Sequence, residues 1–171
     1  FSDYAKPTQL KPEPIEIDRL LAEVATLYEG GRQRVVTAFD SEDVEVDADP
    51  VRLRQVMHNL IKNAAESAGE GGKVSIGSRV AQSDGGTFVE ISVTDDGPGF
   101  DPELLEQVFE PYVTNKTKGT GLGLAIVKRI VAEHGGQVRA ENCANGGGCV
   151  TFRLPCINRD ADRHSVGAGR A

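Results

Sequence analysis

The chain has 171 residues, enough for one domain that buries about 70% of the surface its unfolded form exposes. A hydrophobic share of 39% and a charged share of 26% are those of a globular domain, and a formal net charge of −7 argues against a general nucleic-acid binder, which would carry a basic surface. No stretch approaches the roughly 18 apolar residues of a membrane span, and three cysteines without a Cys-x-x-Cys do not make a disulfide framework or a metal site, so reduced thiols in a cytoplasmic protein are expected.

Residues 1–14 are polar and carry prolines at positions 7, 12 and 14; they read as an extended linker following the frayed end of something upstream. Asp18 is placed to cap a helix whose apolar residues Leu20, Leu21, Val24, Ala25 and Leu27 recur at helical spacing until Gly30-Gly31. Short strands follow at Arg34 to Asp40 and Val44 to Asp47. Asp49-Pro50 then combines a capping side chain with proline at the first helical position, and predicts a helix to Ala68 that ends at Gly69. Two strand patterns, Lys73 to Val80 and Thr87 to Thr94, are joined by the turn signal Asp84-Gly85-Gly86. A long irregular segment from Asp95 to Lys118 precedes a helix from Gly121 to His134; a connector of that length is more than punctuation. Gln137 to Asn142 and Cys149 to Leu154 form a closing hairpin over Gly146-Gly147-Gly148, across which Cys143 and Cys149 can face each other, and residues 156–171 read as a flexible tail. Strands and helices mix without strict β-α-β alternation. The expected class is therefore α+β, a two-layer sandwich whose mixed, mostly antiparallel sheet is covered on one face by about three helices, over residues 15–155.

Three stretches carry chemistry. Gly119, Gly121 and Gly123 stand at alternate positions behind Lys116 and Lys118 and run into an apolar helical pattern. Bare N–H groups at a helix N-terminus, with cationic charge beside them, suit a phosphate chain. A dinucleotide fingerprint fails because its third glycine position is Leu124, and a P-loop fails because no glycine here precedes Lys-Ser/Thr. A glycine-rich turn that simply starts a helix remains the other reading. On the second helix, Asn59 and Asn63 are four residues apart and Glu66 follows three later, all on one face. Asparagine is a poor mid-helix residue, and such oxygens suit Mg²⁺; a solvated polar face is the alternative. Finally, Asp95-Asp-Gly-Pro-Gly-Phe100 follows a strand directly. A strand-end carboxylate can accept a hydrogen bond from an exocyclic amine while Gly97 and Gly99 admit a flat ring, although the same dipeptides also make plain turns.

In this order the stretches resemble the ATP-binding domain of sensor histidine kinases, of the Bergerat-type superfamily shared with gyrase, heat-shock chaperones and mismatch-repair ATPases. Asn59-Leu-Ile-Lys-Asn63-Ala resembles the asparagine box, Asp95-x-Gly97-x-Gly99 the first glycine box, Phe109-Glu-Pro-Tyr112 the phenylalanine box and Gly119-Thr-Gly-Leu-Gly-Leu124 the second glycine box. The opening residues and the short lid are most similar to nitrogen-regulation sensors of the NtrB/NtrY type. The resemblance implies ATP and Mg²⁺ as cofactors. It implies that Asn63 coordinates Mg²⁺ with Asn59 contributing, and that Asp95 bonds the adenine amine with help from Thr151 through a water. Gly97, Gly99 and Phe100 would border the base. Phe109 and Tyr112 would anchor the lid, and Lys116, Thr117, Lys118, Gly119, Thr120, Gly121, Leu122, Gly123 and Leu124 would hold the triphosphate. Glu66 stands where many members carry a phosphate-contacting Lys or Arg, so its role toward metal or water is open.

Hydrolysing relatives place a glutamate where Asn59 stands, and an asparagine cannot act as that base. The implied activity is thus phosphoryl donation to a histidine, as in two-component signal transduction, with a hydrolysing ATPase module or a non-catalytic nucleotide sensor as rivals. None of His58, His134 and His164 has the context of an acceptor histidine; His134, at a helix C-terminus, suits the helix dipole. The implied partners are a histidine-containing dimerisation domain and a response regulator, with no nucleic acid and no membrane contact by this fragment. Its implied setting is the cytoplasmic part of a membrane-anchored parent.

Overall fold

The computed structural model describes residues 9–41, 44–113 and 121–157. Among them are three α-helices, α1 (Ile17–Thr26), α2 (Pro50–Ala68) and α3 (Gly123–Glu133). A five-stranded sheet has the spatial order β2 (Arg34–Asp40), β4 (Lys73–Ser83), β5 (Gly86–Asp95), β7 (Gly148–Pro155), β6 (Gln137–Asn142). Only the β2–β4 pair is parallel; the other three are antiparallel. The expected mixed, mostly antiparallel sheet is what forms.

Strand alternation decides which sheet face meets the helices. Val74 and Ile76 of β4, Val89, Ile91 and Val93 of β5, and Val150, Phe152 and Leu154 of β7 are buried at every second position. They pack with Leu20, Leu21 and Val24 of α1, Val56, Met57, Leu60 and Ile61 of α2, and Val127, Ile130 and Val131 of α3 as one core. The opposite face of the sheet carries Ser75, Ser92, Arg79, Glu90, Arg139 and Arg153, where Arg79 and Glu90 form an ion pair at 2.6 Å.

Three departures from expectation lie at the start of the domain. Residues 13–16 were read partly as linker, yet β1 (Glu13–Glu16) pairs antiparallel with β3 (Glu45–Ala48) in a small second sheet. Its single buried residue is Ile15; four residues with one apolar anchor give no local strand signal, and a distant partner supplies it. Asp18 does not cap α1. The strand runs straight into the helix, so the N-cap falls on Glu16, which makes no side-chain bond. The Asp18 carboxylate instead accepts from Ser41 N–H (3.0 Å), Ser41 Oγ and Ser78 Oγ (2.6 Å), pinning α1 to the β2–β4 edge. Leu27, at the end of the expected apolar series, lies beyond the helix and is 71% exposed.

The second helix behaves as its sequence dictates. Asp49 Oδ1 accepts from Val51 and Arg52 N–H at 3.0 and 3.3 Å, Pro50 occupies the first turn, and Gly69 ends the helix at a φ of 73°. His134 at the end of α3 does more than face a helix dipole. Its Nε2 accepts from Asp49 N–H at 3.1 Å, so its Nδ1, 2.7 Å from the Ile130 carbonyl, carries the ring hydrogen. This neutral imidazole fastens the start of α2 to the end of α3. All three cysteines are unbridged; burial, followed by the proximity of Cys149 and Asp95, pushes the Cys143 thiol up from its ordinary pKa.

Candidate functional site

On α2 a polar line runs through Asn59, Asn63 and Ser67 at four-residue intervals, beside the buried row Leu53, Val56, Leu60 and Ala64. Asn59 and Asn63 are half-buried and Glu66 is exposed. The Nδ2 of Asn59 is buried and has no hydrogen-bond partner among the described residues. A buried amide donor without a partner is costly unless a ligand oxygen satisfies it.

Ser67 joins this line to the strand-end loop. Asp95 is the last residue of β5 and 7% exposed. Its Oδ1 accepts from Ser67 Oγ at 3.0 Å, from Gly97 N–H at 2.9 Å and from Gly148 N–H at 3.4 Å. All three donors converge on one oxygen, Oδ1. Asp96 is different in kind: it is exposed and prolongs the β4–β5 ladder by accepting from Lys73 N–H at 2.9 Å.

The loop after Asp95 works only with glycine at two places. A Cβ on Gly97 would strike the backbone and hydroxyl of Ser67. Gly99 sits at a φ of 82°, with Asn142 Oδ1 and the Gly146 carbonyl occupying the space a side chain would need. The closing hairpin is therefore the back wall of the loop. Gly147 lies directly against the Asp95 carbonyl, and Gly148 lies between Asp95 Oδ2 and the Phe100 ring. Asn142, on the last rung of β6, accepts from Phe100 N–H at 2.7 Å and donates to the Phe100 carbonyl at 3.0 Å. None of Ser67, Asn142, Gly147 and Gly148 was singled out from the sequence as a site residue. Ser67 was detectable in principle, since it continues the Asn59–Asn63 spacing by one more step.

The third side of the site is the start of α3. Leu122 is buried at the N-cap position and Gly123 opens the helix. Gly121 has a φ of 73°, a Cβ there would come within 2.6 Å of the Tyr112 main chain, and Tyr112 N–H donates to the Gly121 carbonyl at 3.0 Å. Tyr112 itself has a φ of 66°, a strained conformation for a bulky side chain. Phe100, Phe109 and Leu124 pack on the core, whereas Tyr112 is 66% exposed and holds this junction through its backbone. Lys116, Thr117, Lys118, Gly119 and Thr120 lie outside the described residues.

Thr151 requires correction. It is paired with Ser92, and Cys149 with Thr94, so these side chains share the helix-free face of the sheet. Thr151 borders a shallow hollow of about 260 Å³ there, with Ala38, Gly77 and Ser92. Asp95 projects from the other face, so the structure does not bring Thr151 to it. The strand parity, and not the distance along the chain, separates them.

Among the described residues no group of three His, Cys, Asp or Glu could hold a metal ion. The donors that are gathered, two carboxamides on one helix face, fit an ion such as Mg²⁺ that takes few protein ligands and completes its shell with phosphates and water. The unpartnered Asn59 amide fits a phosphate oxygen equally well.

Helices over one face of a mixed sheet, with an asparagine helix face opposite a strand-end aspartate and a glycine-started helix, define a nucleotide-binding ATPase domain. The chain belongs to the family of histidine kinase-, DNA gyrase B- and HSP90-like ATPases, whose profile matches residues 48–158. Its relatives are sensor histidine kinases. It is 37% identical over 157 residues to sensor histidine kinase ZraS of Escherichia coli O157:H7, covering 90% of this chain and 33% of ZraS. It is 39% identical over 137 residues to a putative sensor histidine kinase NtrY-like of Rickettsia bellii, covering 78% of this chain and 22% of that protein. The chain thus spans a third or less of these relatives. The solved catalytic domain of histidine kinase ThkA superposes with a TM-score of 0.76 at 37% identity, over 85% of this chain and 95% of that one. ThkA in complex with the response regulator protein TrrA superposes with a TM-score of 0.75 at 34% identity, over 90% and 44%.

Proposed function

We propose that this chain is the catalytic half of a two-component sensor kinase: it binds ATP with Mg²⁺ and presents the γ-phosphoryl group to a histidine on a separate dimerisation domain. The observation that carries the reading is the Ser67–Asp95 hydrogen bond, which joins the asparagine face of α2 to the strand-end loop as one site. Asp95 Oδ2 accepts from the adenine amine, and Gly97 and Gly99 leave the ring its space beside Phe100. Asn63, assisted by Asn59, ligates Mg²⁺, which when bound neutralises phosphate charge. Lys116, Thr117, Lys118 and the backbone N–H groups of 119–124 hold the triphosphate at the N-terminus of α3. Glu66, exposed at the edge of the same helix face, orders water around the ion.

Transfer breaks the bond between the γ-phosphorus and its bridging oxygen, forms a phosphorus–nitrogen bond to the acceptor imidazole, and releases ADP. Such a reaction asks chiefly for positioning and charge stabilisation. Hydrolysis needs a positioned base for water, and at position 59 the chain offers a carboxamide. The ThkA structure with a response regulator bound supports a response regulator as the downstream partner, and the NtrY-like relatives support a nitrogen-regulation parent; that parent is anchored in the membrane with this domain in the cytoplasm.

The test uses labelled ATP. The chain alone is expected to bind ATP·Mg²⁺ without acquiring acid-labile label, and to label a supplied dimerisation domain of a related kinase in trans. Asn63→Ala is expected to lose Mg²⁺-dependent binding and transfer by at least tenfold. Steady phosphate release by the chain alone, with no label in trans, would favour the hydrolysing ATPase instead.

A further inference from the structure

We infer that Asn142 is a positioning residue for nucleotide recognition: its carboxamide clamps Phe100 and so fixes the loop that presents Asp95 to the base. The inference rests on the nucleotide reading of the site.

The geometry is specific to a carboxamide. Asn142 Oδ1 accepts from Phe100 N–H at 2.7 Å while Nδ2 donates to the Phe100 carbonyl at 3.0 Å, so one side chain satisfies both backbone groups of one residue as a neighbouring strand would. Asn142 is 42 residues away in sequence. It is also paired in the ladder with Gly148, whose N–H reaches Asp95 Oδ1 at 3.4 Å. A single rung of the β6–β7 hairpin therefore holds both ends of the loop running from Asp95 to Phe100. Between those ends, Gly99 at a φ of 82° has Asn142 Oδ1 and the Gly146 carbonyl within 2.7 and 2.5 Å of its missing Cβ. The loop has no regular structure of its own; without the clamp, Phe100 and the carboxylate beside it lose a fixed separation. A hydrogen bond to the base depends on that separation, and binding to the phosphates does not.

The test compares ATP with purine riboside triphosphate, which lacks the exocyclic amine, both with Mg²⁺, on the full chain. Asn142→Ala is expected to weaken ATP by about five- to tenfold, the scale of losing one or two hydrogen bonds. Purine riboside triphosphate should change less than twofold, so the selectivity ratio collapses. Amide exchange at Phe100 should accelerate. Asn142→Asp keeps the acceptor for Phe100 N–H but not the donor; it should preserve Phe100 protection and lose only part of the ratio, and it serves if the alanine variant does not fold. An unchanged ratio in both folded variants, whether the two affinities hold or fall together, would overturn the role of Asn142 alone. Failure of the unmodified chain to prefer ATP, or an Asp95→Asn variant that keeps the preference, would overturn the site reading and this inference with it.

Discussion

At the scale of single residues, the site depends on small groups that hold larger ones in place. Ser67 supplies one of the three donors to Asp95 Oδ1 and is the only side chain among them. Ser67→Ala is expected to lower ATP affinity by about three- to tenfold, the worth of a typical hydrogen bond, with a melting temperature within a few degrees of the parent; calorimetric titration and a thermal scan separate the two. Gly147 is less forgiving. Its added Cβ would overlap the Asp95 carbonyl, and backbone cannot swing aside as a side chain can. Gly147→Ala should destabilise the fold by about 1–3 kcal/mol, as overpacking does, measurable by urea unfolding. Asn59, Asn63 and Asp95 stand out in the sequence as candidates because each violates a local preference, polar in mid-helix or charged at a strand end. Asn142 was not, because a polar residue closing a hairpin is ordinary and its partner is 42 positions away. Thr151 was misplaced because the face a strand residue occupies depends on register, which motif spacing alone does not supply.

At the scale of elements, the clasp between α2 and α3 stands out. Asp49 caps α2, takes a further hydrogen bond from Lys11 N–H at 3.0 Å, and gives its own N–H to His134. Burial opposes ionisation of its carboxyl, but the N–H groups of Lys11, Arg52 and Val51 and the Arg52 charge outweigh it and hold the pKa below the ordinary value. Because the folded pKa is the lower one, this stabilisation is complete above the unfolded value near pH 4 and fades as the pH falls through the folded value. Asp49→Asn, which still caps, should flatten the acid limb of a stability-against-pH curve while leaving neutral stability within about 1 kcal/mol. His134→Leu strands the Asp49 N–H and should cost about 1–3 kcal/mol by denaturant unfolding. The helices α2 and α3 were legible to within two residues, since both carry apolar periodicity and a glycine just past the end and α2 also carries the Asp49 cap, whereas α1 stops at Thr26, short of Gly30-Gly31. The short β1 was not, since its pairing with β3 is decided by register and contact far from its own sequence.

At the scale of the whole molecule, one core serves every element, and Phe152 is its largest fully buried side chain. It sits on β7 between β5 and β6 and faces the helices. Phe152→Ala should cost about 3–5 kcal/mol, the usual range for emptying an aromatic site, and should abolish nucleotide binding by unfolding the scaffold; restored binding at low temperature would show the site itself intact. The layer arrangement was legible from the mixture of periodicities. The strand order was not, because sequence neighbours β2 and β3 end in different sheets and β2 pairs in parallel with β4.

The glycine hairpin has a consequence for how such chains are judged. The four boxes name the groups proposed to touch a ligand, yet Gly147 and Gly148, with the Gly146 carbonyl set against Gly99, determine whether the first glycine box has room to exist. A homologue with every box intact but a side chain at position 147 would pass a motif search and fail as a nucleotide site. Loss of activity in this lineage can therefore begin outside the boxes, as a steric event in a turn with no chemistry of its own.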